Sequence, residues 1–97
     1  MDGSTPVEVH AARFRALGDP TRLRIVGELS GGTRRVCELR DQIEVPGPLL
    51  SHHLAVLREA GLVTAARRGR WIDYTLDTSV LADLTGVIGA DVVGASR

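Results

Sequence analysis

Apolar residues recur at three- and four-residue intervals from Val7 through Ala11 and Phe14 to Leu17, which predicts a first helix. Gly18 stands where a left-handed residue would end it, and Asp19-Pro20 reads as an N-cap followed by the first residue of a second helix. Leu23, Val26 and Leu29 mark the inner face of that helix, which Gly31-Gly32 ends. Val36, Leu39 and Ile43 predict a short third helix, stopped by Pro46-Gly47-Pro48. A fourth helix is expected from about Pro48 to Ala60, with Gly61 beyond it and an inner stripe of Leu50, Leu54 and Leu57. The period then changes. In LVTAARRGRWIDYTL, Ile72, Tyr74 and Leu76 alternate on one face, so the segment reads as two short strands around a turn near Arg68-Gly69. A fifth helix starts near Asp77 or Thr78 and carries Val80, Leu81, Leu84, Val87 and Ile88.

Two helices joined by a tight turn and followed by a basic hairpin describe a winged helix-turn-helix. The expected class is mainly α with a small β-hairpin, five helices and a two-stranded wing. Its helix from Val36 would buttress the helix from Pro48, which would enter the major groove. One domain is expected over residues 1–97, with 1–6 loose and 77–97 forming a last helix and tail.

Composition sharpens this picture only through its distribution. Twelve Arg balance twelve Asp and Glu, with no Lys. Yet between Arg34 and Arg70 seven Arg meet four acids, whereas from Trp71 to Ser96 there are four Asp and no basic residue. A neutral sum is therefore compatible with a polyanionic partner for the middle of the chain. Arg67, Arg68 and Arg70 surround Gly69 at the expected wing tip, where planar guanidiniums can grip phosphate or enter a narrow minor groove. This cluster favours DNA over a plain solvated turn. A winged helix using the same surface for a regulatory protein partner, without a metal effector, is the alternative. No nucleophile-base-acid set or phosphate-binding glycine loop points to an enzyme. A single cysteine, Cys37, and no signal-peptide pattern or long apolar run make a cytoplasmic protein the expectation.

His52 and His53 are adjacent in the fourth helix, so they project about 100° apart and cannot chelate one ion as an i,i+4 pair can. His53 shares the Leu50, Leu54, Leu57 stripe and should point inward, toward the last helix, as a hydrogen-bonded structural residue. His52 groups with Pro48, Ala55 and Glu59 on the outer face beside Ser51, and reads as a groove or phosphate contact.

The segments RFRALGDPTRLRIVGEL, VCELRDQ, SHHLAVLREAGLV and RRGRWIDYTL, in this order over about residues 13–76, resemble the ArsR/SmtB family of small bacterial metal-responsive repressors. The resemblance implies a homodimer built on the first and last helices, with one recognition helix per subunit facing an operator half-site in double-stranded DNA. The DNA-facing positions would be Pro48, Leu49, Ser51, His52, Arg67, Arg68 and Arg70. Family members usually carry polar residues where this chain has Gly47 and Leu49; Leu49 offers a base edge only apolar contact, as with a thymine methyl.

The chain departs further at both effector sites that the resemblance implies. Arsenic-type members cluster cysteines at the start of the third helix, where only Cys37 stands here. One thiolate does not make an all-sulfur site. Zinc-type members carry an Asp-x-His pair on the last helix; Asp77 matches, but Ser79 replaces the His, and Ala90 and Val93 occupy the later positions. The remaining ligand candidates are His10, Asp77, Asp83, Asp91 and Cys37, with Asp2 and Glu8 nearby in sequence. A nitrogen and oxygen set across the dimer interface would suit Ni2+ or Zn2+ as effector better than arsenic. Taken singly, Asp77 reads as an N-cap, His10 as a surface residue and Cys37 as a small buried filler.

Overall fold

The computed structural model describes residues 5–89. The elements run α1 (Val7–Leu17), α2 (Pro20–Leu29), β1 (Arg34–Arg35), α3 (Val36–Gln42), α4 (Gly47–Glu59), β2 (Val63–Arg68), β3 (Trp71–Leu76) and α5 (Thr78–Ile88). The sheet is antiparallel with order β1-β3-β2, so the expected two-stranded wing gains a third, two-residue strand. That strand has no alternation of its own; Arg34 and Arg35 are extended because they pair with Tyr74 and Asp73. No helix among the described residues is long and apolar enough to cross a membrane.

The helix boundaries follow local chemistry. The Asp19 carboxylate accepts from the Arg22 backbone N–H at 3.0 Å, and Pro20 opens α2 without sacrificing a needed donor. Glu38 accepts from the backbone N–H of Arg35 at 2.8 Å, closing the first turn of α3. Asp77 caps α5 through the N–H groups of Ser79 and Val80, as its position in sequence suggested. Gly61, with φ +79°, lets α4 end in paired bonds from Gly61 to the Arg58 carbonyl and from Leu62 to the Leu57 carbonyl. Gly18 behaves otherwise. Its φ is −80°, because α1 closes with a tighter bond from Gly18 N–H to the Arg15 carbonyl and the chain needs no left-handed step.

The core gathers Ile25, Leu29, Leu39, Ile43, Leu50, Leu54, Leu57 and Leu62 under the inner face of the sheet, where Val63, Tyr74 and Leu76 are buried. The α4 stripe is as the periodicity predicted. The inner face of α2 is only partly so: Leu29 is buried and Val26 half-buried as expected, but Leu23 is exposed and Ile25 is buried in its place. The helix is rotated because Arg22, three residues before Ile25, turns inward to bond other helices. In α1, likewise, the residues facing the interior are His10 and Ala16, while Val7 and Phe14 of the expected stripe lie outward. His10, read as a surface residue from its polarity, is buried because this inward face packs on α2, α4 and α5.

The Asp19 cap makes acid stability testable. The Arg22 backbone N–H, aided by the Arg22 charge, holds the Asp19 carboxyl below its ordinary value although burial opposes it. A carboxyl depressed on folding stabilises fully above its unfolded value, near 3.9, and that contribution is lost as pH falls through the lower folded value. Asp19→Asn keeps a capping oxygen but does not titrate. Urea midpoints of this variant are expected to fall less steeply than wild type from about pH 5 to pH 2. Parallel curves would show that the Asp19 charge contributes nothing.

Candidate nucleic-acid interface

The thirteen-residue α4 lies between its buried leucine stripe and solvent. Pro48, Leu49, Ser51 and His52 are all exposed on its outer side, and Arg58 extends that side two turns on from Ser51. His53 is buried, as expected of the stripe, but it does not face the last helix. Its Nδ1 lies 2.9 Å from an Arg22 guanidinium nitrogen and 3.9 Å from the Asp19 carboxylate, both at the start of α2. Helical projection shows that a side chain turns inward; which neighbour it meets depends on packing. The His52 and His53 rings contact one another at 5.5 Å between centroids, tilted by 57°.

The hairpin turns at Gly69, whose φ of +62° fits a two-residue connection between the paired residues Arg68 and Trp71. Arg67, Arg68 and Arg70 are all exposed, but strand alternation separates them. Arg67 pairs with Ile72, on the side of the sheet that carries Val63, Tyr74 and Leu76 further in; Arg68 lies on the opposite side, 3.5 Å from Asp73. Arg70 occupies the turn and has no ion-pair partner among the described residues. The outer face also holds Arg35, stacked 5.1 Å from the centroid of half-exposed Trp71. Arg35 and Trp71 carried no role in the sequence reading; their contact arises from pairing across β1 and β3, which local patterns do not encode.

The expected metal candidates are dispersed. Asp77 is occupied as a cap, with its carboxyl lowered chiefly by the Ser79 hydroxyl and the Val80 N–H. Asp83 is exposed on α5, and Cys37 is half-buried rather than buried in the first turn of α3. Neither ring nitrogen of buried His10 has a hydrogen-bond partner among the described residues. Asp2 and Asp91 lie outside the described residues. Among the described residues of one chain, no three His, Cys, Asp or Glu side chains come together to hold a metal ion.

Residues 19–65, from the α2 cap into the first residues of β2, match the model of the bacterial regulatory protein arsR family. The transcriptional repressor SdpR of Bacillus subtilis is 37% identical over 70 residues, covering 72% of this chain and 78% of its own. The chain belongs to the ArsR family. Its members are transcriptional regulators rather than enzymes, and helix-turn-helix regulators of this family bind operator DNA. Another ArsR relative, the arsenical resistance operon repressor of Escherichia coli, is 41% identical over 71% of this chain and 60% of its own. The crystal structure of the ArsR family regulator RHA00566 superposes with a TM-score of 0.80 over 96% of this chain and 97% of that one, at 24% identity, and so matches in fold. The ArsR match spans α2 with its cap, β1, α3, α4 and the first residues of β2.

Proposed function

We propose that this protein is a homodimeric, sequence-specific operator-binding repressor. In this reading α4 enters the major groove through Pro48, Leu49, Ser51 and His52, and Arg67, Arg68 and Arg70 contact flanking phosphates or the minor groove. The observation that supports it best is an unburied outer face on α4 beside a hairpin bearing three exposed arginines. Leu49 gives apolar contact, so hydrogen-bonded reading falls to Ser51 and His52, and DNA shape supplies the remainder through the wing.

The dimer reading rests on α1 and α5. Val7 is 68% exposed, Phe14 37%, Val87 41% and Ile88 49%, which leaves apolar side chains on both helices open to a second copy. A nickel or zinc response, rather than an arsenic response, fits the remaining nitrogen and oxygen candidates. No metal-holding cluster forms among the described residues of one chain, and the proposed site joins ligands from both protomers. His10 supports this, because two unpartnered nitrogens in a buried ring are costly without a ligand or partner.

Titration of duplex from the protein's own upstream region, with a panel of divalent ions and a chelator, tests the function. Specific binding that nickel or zinc alters is expected. Calorimetry should show metal binding retained in Cys37→Ser and reduced in His10→Ala. Loss in Cys37→Ser alone would move the site to α3 and refute the interface reading.

A further inference from the structure

Two arginines from neighbouring helices hold α4. Arg13 on α1 donates from Nε to the Ala60 carbonyl at the end of α4, at 2.9 Å. Arg22 on α2 donates from Nε to the Ala16 carbonyl at the end of α1, at 2.6 Å, and places another guanidinium nitrogen 2.9 Å from His53 Nδ1 in the middle of α4. One side chain thus joins α1, α2 and α4. A guanidinium carries only donors and keeps its proton, so His53 Nδ1 must accept. The ring is then neutral, with its hydrogen on Nε2.

We propose that Arg22 is a positioning residue for DNA recognition, and that unprotonated His53 Nδ1 is the acceptor through which it fixes α4. The inference rests on the reading of α4 as the recognition helix. His52 follows any rotation at His53, because adjacent residues share one rigid turn of helix. Arg22 therefore sets the angle at which Ser51 and His52 meet the groove. A proton on Nδ1 would turn the acceptor into a donor facing a donor and set two cations side by side. The nearest anion is Asp19, whose Oδ2 lies 3.9 Å from Nδ1 and already caps α2. The charged and titratable groups that face His53 are Arg22 and Asp19 from α2 and His52 from α4 itself. On the α1 side Arg22, not His53, meets the Ala16 carbonyl, and Arg15 and Glu59 line with Arg22 a cavity of about 290 Å³. The strand β2 meets α4 with apolar Val63 at its buried end. Asp19 cannot replace Arg22 without releasing the α2 cap, and Glu59 makes no ion pair with His53 among the described residues, so protonation loosens α4.

Binding of a fluorescent duplex from the upstream region to the full chain, measured from about pH 7.5 to pH 5.5, tests this. The variants are His53→Gln and Arg22→Gln, each also made with His52→Gln to remove the exposed histidine's own titration. Wild type and His52→Gln are expected to weaken at least about tenfold toward pH 5.5, as for loss of a hydrogen bond to a charged group. His53→Gln retains an acceptor oxygen for Arg22 and does not titrate. It should bind within about threefold of wild type at pH 7.5 and lose the pH dependence. Arg22→Gln should bind weakly across the range. An unchanged pH profile in His53→Gln, or wild-type affinity in Arg22→Gln, would overturn the proposal. Long-range 1H–15N NMR of wild type gives a readout independent of variant folding: hydrogen on Nε2 is expected, and hydrogen on Nδ1 refutes it. Wild type that binds no duplex at pH 7.5 would instead overturn the DNA reading, an outcome distinct from a flat pH profile in a protein that binds.

Discussion

Leu57→Ala is expected to lower stability by about 2–5 kcal/mol, the range for truncating a fully buried leucine. Leu57 has no exposed surface and sits at the end of the α4 stripe, where its carbonyl also receives the Leu62 N–H that closes the helix. The neighbouring backbone is fixed by that bond, so the space left by the side chain cannot readily collapse. A domain of this size has a total stability of only about 5–15 kcal/mol, and the thermal midpoint should drop by on the order of 10–30 °C. Leu49→Ala, on the same helix, is the informative companion. Leu49 is 42% exposed, so its truncation should change stability by less than about 0.5 kcal/mol while weakening DNA binding. Equal thermal losses in the two variants would contradict the assignment of inner and outer faces.

Removing Arg68 and Arg70 together is expected to flatten the salt dependence of DNA binding. A dimer that neutralises about six phosphates gives a log-log slope near −5. Loss of two arginines per protomer should reduce its magnitude by about 3 to 4. The single variants should differ. Arg68 is 3.5 Å from the Asp73 carboxylate, which already offsets part of its charge, while Arg70 stands unpaired in the turn among the described residues. Arg70→Ala should therefore flatten the slope more than Arg68→Ala. Both should melt with wild type, since the two side chains lie outside the core. A slope unmoved in the double variant would remove the wing from the interface.

Most of this architecture was legible because it follows from local chemistry. Asp19-Pro20, Gly61 and the Leu50, Leu54, Leu57 stripe act through contacts within a turn or two, and they fall where the pattern put them. What escaped depends on distant partners. Strand β1 exists because it meets β3 about forty residues later. Arg22 and His10 are polar, and polarity suggests exposure, yet both turn inward. A spacing signal was present: Arg22, Ile25 and Leu29 share one helical face, as do His10, Arg13 and Leu17. Charged or polar residues on an otherwise inward stripe were the trace of the bonds from Arg22 to His53 and from Arg13 to Ala60. At the candidate interface, the outer face of α4 and the exposed wing arginines could be read in advance. The Arg68–Asp73 pairing and the Arg35–Trp71 stack could not, because each is set by sheet register.

Methylation protection of the upstream DNA tests the central claim most directly, since methylation at guanine N7 reports the major groove. A dimer that presents two copies of α4 should protect two major-groove patches on one face of the duplex. Their centres should lie one helical turn, about 34–36 Å or 10–10.5 base pairs, or a multiple of it, apart. Substituting Ser51 and His52 by Ala should erase both patches, with Leu57 and the fold left intact. Bound DNA without major-groove protection, or patches that persist in that variant, would contradict the placement of α4 in the groove.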